Sequence, residues 1–143
     1  GLRNGQFRFI CGCASTGNAG GSLDMKSIIL FGHGARSADW ARPMEVLAAT
    51  VKERAPDIAV RLAFLEFMAP TLAEAIDEAV AAGARDIRVV PDFLAQGGHV
   101  KRDLPEMIAA ARARHAAVEI QLMPALGESL LVIAAMAEVI VSA

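Results

Sequence analysis

The sequence has little cysteine and no excess of positive charge. Its only two cysteines, Cys11 and Cys13, are too close together to cross-link distant parts of a fold, and they lack the second pair of a structural zinc site. We therefore expect a cytoplasmic protein without disulfide bonds. The formal net charge of −2 gives no general attraction for nucleic acid, so none is expected as a partner, and any anionic ligand must be bound by local cations.

Long hydrophobic runs are absent as well, although hydrophobic residues make up 55% of the chain. The longest apolar stretch, residues 130–141, is interrupted by Glu138 and is shorter than the roughly 20 residues that a membrane span needs. It predicts a core or interface helix, and we expect no membrane partner. The glycine loops that bind nucleotide phosphates and the nucleophile elbow of α/β-hydrolases are also missing, which argues against those classes of enzyme.

Residues 1–24 differ in character from the rest of the chain. Glycine and serine punctuate them, no helical or strand period persists, and they lack both an initial Met and the apolar segment of a signal peptide. We expect them to be a disordered read-through extension ahead of a natural start at Met25. Residues 25–143 are expected to form one folded domain.

From Met25 onward, short β-rich runs alternate with amphipathic helical segments. Strands are predicted at residues 28–31, 58–64, 87–90 and 118–122. Helices are predicted to begin near Arg42, behind a Thr71 cap, at an Asp103 cap and after Gly127, with a long loop over residues 91–101. Four βα units with right-handed crossovers predict an α/β fold, a flavodoxin-like domain whose four-stranded parallel sheet has the order 2-1-3-4 and carries helices on both faces.

Three possible metal ligands follow three neighbouring predicted strands. His33 lies between Gly32 and Gly34 after the first strand, Glu66 follows the second, and His99 follows the third behind two glycines. Parallel strands end at one edge of the sheet, where ligands bind, so we expect these side chains to meet there. Two imidazoles and a carboxylate suit a divalent transition metal and can also accept protons.

A structural interpretation stands beside each of these functional ones. A single histidine at a strand end is more often a partly buried hydrogen-bonding residue than a ligand, but two on one predicted edge favour function. Glu66 stands among large apolar residues, where a carboxylate is costly unless it is paired, and this favours a functional role for it. His115, at the end of the third predicted helix, is expected to be structural. Asp92 is left open between a supporting acid and a turn residue.

Basic residues surround the same predicted edge, although the chain as a whole is slightly acidic. Each of them singly is typical of a solvated helix start, but together they suggest a ligand that bears several carboxylates. They are Arg36, Arg42, Lys101 and Arg102.

Residues 30–36, 64–66 and 90–105 together resemble the short form of the CbiX family, the sirohydrochlorin chelatases, and the resemblance extends over most of residues 26–143. It implies a lyase that inserts Co²⁺ into sirohydrochlorin in cobalamin biosynthesis, or Fe²⁺ in sirohaem synthesis, with a nickel-inserting version as a further possibility. The divalent metal is then a substrate, and no organic cofactor is implied. A carrier that binds metal or tetrapyrrole without turnover stays open as a different class.

The resemblance also implies roles for individual residues. His33 and His99 correspond to the family's metal-binding histidines, and Glu66 to its assisting acid. Ala35 replaces the serine of the commoner Gly-Ser-Arg pattern, so Ser37 is the hydroxyl that can substitute for it. Substrate carboxylates would be bound by Arg36, Ser37, Arg42, Lys101 and Arg102, and the glycines beside His33 would let a flat macrocycle approach the backbone. Short members dimerise around the macrocycle, which implies a homodimer.

Overall fold

The computed structural model describes residues 25–143, and the extension expected for residues 1–24 lies outside this range. The described chain alternates strands with helices and includes two short 3₁₀ turns, Ala38–Ala41 and Leu126–Glu128. Its elements are β1 (Lys26–Gly32), α1 (Arg42–Arg54), β2 (Ala59–Phe64), α2 (Leu72–Ala81), β3 (Asp86–Pro91), α3 (Gly98–Arg114), β4 (Glu119–Leu122) and α4 (Leu130–Val141). In the described range, no helix is both long enough and apolar enough to cross a bilayer.

The strands within residues 25–143 form one parallel sheet with the order β2-β1-β3-β4, which confirms the predicted topology. β1 is an inner strand: its Leu30 pairs with Leu62 of β2 and with Val90 of β3. An inner parallel strand is covered on both faces and needs apolar residues in succession. Ile29, Leu30 and Phe31 accordingly lie in the core of the protein.

Helices cover both faces of the sheet, as predicted. One apolar cluster joins Phe31 of the sheet to Ile76 of α2 and Leu104 of α3, and a second joins Leu30 to Met44 of α1 on the other face. α2 begins at the predicted cap, since the Thr71 side chain accepts a hydrogen bond of 3.2 Å from the backbone N–H of Glu74.

The start of α3 corrects the sequence-based prediction. The helix begins at Gly98, so His99 and Lys101 lie in its first turns rather than in a loop. Asp103 is therefore in the second turn of the helix and is not its N-cap. The physical reason is packing. Val100 and Leu104 are buried on the same helix face as Ile108 and Ala111, so the buried face extends to the first turn of the helix. Tertiary packing therefore outweighs the local capping signal.

His115 caps the other end of α3 and is structural, in agreement with the sequence analysis. Its Nε2 lies 2.7 Å from Oδ1 of Asp77 in α2. This hydrogen bond, reinforced by Arg114, holds the pKa of Asp77 below its ordinary value. The pair ties two helices of one face together at a distance from the candidate site.

α4 is not a core helix, so that alternative of the sequence analysis is wrong. Within the described chain α4 buries none of its own residues, and its main contacts are with the 3₁₀ turn before it. Six large apolar side chains of α4 are exposed, up to 85% for Leu131. They are Leu130, Leu131, Ile133, Val139, Ile140 and Val141.

Glycines at the end of β1 allow two parts of the chain to pack closely. A Cβ at Gly32 would lie 2.5 Å from the sulfur of Met44, and a Cβ at Gly34 would overlap the carbonyl oxygen of Glu66. Gly34 also has a φ of 86°, a conformation that other residues adopt at a cost. The expectation that these glycines leave room for a ligand is therefore wrong, because other parts of the protein occupy the space that a side chain would take at each glycine.

Replacing Gly34 by alanine should destabilise the domain, since the new Cβ meets backbone and the positive φ becomes strained. We expect a loss of about 2 kcal/mol or more in the free energy of unfolding, measured by urea denaturation. Gly98→Ala is the matched control: nothing lies within 4 Å of a Cβ built there, so its midpoint should stay within error of the wild type or rise. Equal midpoints for the two variants would contradict this account.

Candidate functional site at the carboxyl edge of the sheet

The three predicted ligands lie at the carboxyl edge of the sheet. His33 directly follows β1, Glu66 comes two residues after β2, and His99 is the second residue of α3; all three are exposed. The backbone N–H of Glu66 donates a 3.0 Å hydrogen bond to the carbonyl of His33, which brings those two loops together. Among residues 25–143, however, no three histidine, cysteine or carboxylate side chains converge closely enough to hold a metal ion.

A buried aromatic residue supports His33. The imidazole lies 4.3 Å from the ring of Phe93, centroid to centroid, with the planes tilted by 35°. Phe93 is buried and packs edge-on against Phe31 of β1, with their centroids 5.8 Å apart. His33 is thus exposed to solvent while one side of its ring rests on the core, which restricts its orientation.

Glu66 is exposed, although the residues next to it in the sequence are large and apolar. The chain turns between β2 and α2, so Phe64 points into the core while Glu66 and Phe67 face solvent. The carboxylate therefore carries no large desolvation cost and is accessible to a ligand at the edge.

The predicted basic residues lie around this edge in different environments. The guanidinium carbon of Arg36 lies 5.0 Å from the centroid of the Phe67 ring, a cation–π arrangement next to Glu66. Arg42 is paired with Asp39 at 2.8 Å, with both side chains largely exposed, so this bond is weak and readily exchanged. Lys101 and Arg102 are exposed in the first turns of α3.

Ser37 is exposed and precedes the first 3₁₀ turn without capping it through its hydroxyl. Its carbonyl accepts a 3.2 Å hydrogen bond from the N–H of Trp40. The hydroxyl is therefore available to a ligand that reaches the edge of the sheet.

Asp92 is an acidic residue of this edge whose role the sequence left open. It directly follows β3, and its N–H donates a 2.8 Å hydrogen bond to the carbonyl of Phe31. The residue is half-buried, and burial raises the pKa of its carboxyl above the ordinary value. A partly desolvated carboxyl at the same edge of the sheet as exposed imidazoles is typical of a functional site, and its place immediately after a strand is the sequence signal for it.

Two apolar residues of the edge were not singled out by the sequence analysis. Phe67 and Leu94 are 57% and 72% exposed, in the loops that follow β2 and β3. In the sequence each has an apolar residue next to it, Met68 beside Phe67 and Phe93 beside Leu94, which is why neither stands out from core positions. Together with the imidazoles, the carboxylates and the cations, they make the edge suited to an anionic ligand with an apolar face.

The chain is similar to known proteins over most of its described length. The family model described as CbiX matches residues 27–143. A sirohydrochlorin cobaltochelatase of Methanocaldococcus jannaschii is 37% identical over 91 residues, which is 64% of this chain and 64% of that protein. One of Methanopyrus kandleri is 39% identical over 84 residues, 59% of each chain. The chain thus matches less than two thirds of the length of these curated relatives.

Solved structures show the same architecture. A protein of Marinobacter aquaeolei VT8, named for CbiX and cobalamin biosynthesis, has a TM-score of 0.71 and 32% identity, covering 82% of this chain and 95% of that one. The sirohydrochlorin chelatase SirB of Bacillus subtilis subspecies spizizenii in complex with cobalt has a TM-score of 0.70 and 27% identity. That match covers 82% of this chain but 50% of SirB.

Asp92→Asn should stabilise the protein at neutral pH. Because the folded-state pKa is raised, the contribution of Asp92 to stability is greatest below its ordinary pKa of 3.8 and falls as the pH rises through the folded-state value. Asparagine stays neutral at every pH, so the variant should unfold at a higher temperature at pH 7 and at about the wild-type temperature at pH 3. We expect a gain below about 1 kcal/mol, because solvent reaches the carboxyl. A larger gain at pH 3 than at pH 7 would contradict the assignment.

Proposed function

The chain belongs to the CbiX family, and we propose on this basis that it is a sirohydrochlorin chelatase that inserts Co²⁺ into sirohydrochlorin in cobalamin biosynthesis. The observation that carries the proposal is the extent of the family match, which runs from β1 to α4 and includes all three loops of the carboxyl edge. The names of the relatives at 37% and 39% identity support the same reaction.

In the proposed reaction, His33 and His99 bind the incoming metal ion. Imidazole nitrogens are good ligands for Co²⁺ and Fe²⁺, and they bind less tightly than thiolates, so the ion can pass on to the four ring nitrogens. Both histidines are exposed and follow two adjacent strands, β1 and β3: His33 lies in the loop after β1, and His99 lies in the first turn of α3. This separation suits a site that is completed when the tetrapyrrole brings its own nitrogens between them.

Insertion of the metal releases two protons from the pyrrolic nitrogens, and these need an acceptor. Glu66 is exposed and hydrogen-bonded through its backbone to His33, so its carboxylate can take up a proton close to the transferred metal. Sirohydrochlorin carries carboxylates on all four rings, which Arg36, Lys101 and Arg102 can bind, with Arg42 and Ser37 at the same rim.

The metal and the class of activity have alternatives. Fe²⁺ insertion for sirohaem, or Ni²⁺ insertion, would use the same residues, and the SirB relatives bind cobalt in one structure and Fe³⁺ in another. A carrier would bind one equivalent without turnover. Cobalt is the choice that the names of the curated relatives support. A cytoplasmic location, one domain over residues 25–143 and the absence of an organic cofactor stay part of the proposal.

Alanine at His33 or His99 should abolish metallation, because each substitution removes one of the two metal-binding imidazoles. We expect the rate of sirohydrochlorin metallation, followed by absorbance with Co²⁺, to fall roughly a hundredfold or more. Glu66→Gln should lower the rate about tenfold or more while leaving Co²⁺ binding in place.

The matched control is His115→Ala, which removes the remaining histidine, located at the opposite end of α3 from His99 and bonded to Asp77. It should metallate at the wild-type rate. Full activity in both the His33 and the His99 variants would refute the assignment of the site.

We also propose that the protein acts as a homodimer in which α4 lies in the interface. A single sheet edge offers only one side to a macrocycle, and the chain matches half of the longer SirB. Eleven of the twelve residues of α4 are apolar and none is buried within the described chain, so the helix needs a partner surface.

Charge on α4 should dissociate such a dimer. Leu131→Glu combined with Ile140→Glu places two carboxylates where apolar contacts are proposed, and sedimentation should then give a monomer at micromolar concentration. Val46→Glu, on an exposed apolar position of α1, is the matched control and should leave the dimer intact. A wild-type protein that sediments as a monomer under the same conditions would contradict the proposal.

A further inference from the structure

Phe67 combines large exposure with a constrained backbone. Its side chain is 57% exposed, yet its φ of 64° lies in the left-handed region, which L residues with a Cβ adopt at a cost. Glycine would adopt this conformation without penalty. Apart from a cation–π contact with Arg36, a strained conformation that keeps the ring in solvent contributes little to the fold, which points to a role of the ring outside the chain itself.

The loop that carries Phe67 is held firmly against the end of β1. The N–H groups of Leu65 and Glu66 donate hydrogen bonds of 2.9 and 3.0 Å to the carbonyls of Gly32 and His33. Gly34 packs against the carbonyl of Glu66 so closely that no side chain fits between them. The ring of Phe67 is therefore presented from a fixed backbone, directly after Glu66, whose N–H is bonded to the carbonyl of His33.

Leu94 shows the same combination at the end of β3. Gly127 packs directly on its backbone, and the N–H of Gly127 donates a 2.9 Å hydrogen bond to the carbonyl of the preceding Phe93. The side chain of Leu94 is nevertheless 72% exposed. Two loops of one edge thus hold large apolar side chains in solvent from well-fixed backbones, which is typical of a prepared ligand-binding surface.

Charge around these residues favours a small anionic ligand over a second copy of this acidic chain. The guanidinium of Arg36 lies 5.0 Å from the Phe67 centroid, and Lys101 and Arg102 are exposed at the same edge. An apolar surface bordered by cations matches a planar conjugated ring with anionic substituents, since the ring stacks on aromatic and aliphatic groups while carboxylates bind guanidinium.

We propose that Phe67 and Leu94 form an apolar wall that binds one face of the macrocycle, with Arg36 holding a carboxylate at its rim. Phe67 is then a substrate-binding residue that selects planar tetrapyrroles and positions them over His33. This inference rests on the proposed function, because it takes the tetrapyrrole as the occupant. It assigns binding and positioning, and no part in proton or metal transfer, to this wall.

The test is the affinity of purified Phe67→Gly for sirohydrochlorin, measured by absorbance and fluorescence titration without metal. Removing the stacking ring should raise the Kd and the KM about tenfold, with kcat nearly unchanged. The melting temperature should stay equal or rise, because glycine relieves the positive φ. Phe67→Tyr keeps a planar ring and should retain the wild-type Kd. Val46→Ala is the control for loss of an exposed apolar side chain elsewhere.

The outcomes separate this inference from the proposed function. An unchanged Kd in Phe67→Gly, with normal metallation by the wild type, would overturn the role of Phe67 alone. If Phe67→Gly binds the tetrapyrrole more weakly than the wild type, and the wild type shows no turnover, the apolar wall is supported and the chelatase activity is refuted. A wild type that binds no sirohydrochlorin would overturn both. A shift of Phe67→Gly from dimer to monomer would assign this surface to a second copy and contradict the proposal.

Discussion

The candidate site depends on the docking of the β2–α2 loop onto the end of β1. Two hydrogen bonds, from Leu65 to Gly32 and from Glu66 to His33, continue the pairing of β1 and β2 beyond the strands themselves. They form because Gly34 has no side chain and can take a left-handed φ against the Glu66 carbonyl. This one contact fixes the backbone that carries His33 relative to the backbone that carries Glu66 and Phe67.

The remainder of the edge is arranged around that contact by the sheet and its core. β3 lies on the other side of β1. Phe93, two residues after the end of β3, contacts one side of the His33 ring. α3 starts early enough to carry His99 because Val100 and Leu104 are buried against the sheet. The exposed side chains of the edge thus follow backbone that is held by buried aromatic and aliphatic residues, which restricts where those side chains can lie.

Much of this organisation could be predicted from the sequence, because it depends on local patterns. Alternating strands and helices gave the parallel sheet and its order, Thr71 and Glu74 gave the start of α2, and the edge rule brought His33, Glu66 and His99 to one side. The errors concern contacts between distant residues. From the sequence, Asp103 resembles an N-cap, but the burial of Val100 places the start of the helix earlier. Gly34 resembles a position that leaves space for a ligand, but the carbonyl of Glu66 occupies that space. The positive φ of Phe67 has no local sequence signal at all.

Turnover is the most direct test of the account, since the same residues in a carrier would bind metal and tetrapyrrole without releasing product. The measurement is the absorbance of a reaction that contains purified protein, Co²⁺ and a large molar excess of sirohydrochlorin. The account predicts that many equivalents of cobalt-sirohydrochlorin form per protein, at a rate proportional to protein concentration and above that of the protein-free reaction. Metallation that stops at one equivalent, or that proceeds no faster than without protein, would contradict it.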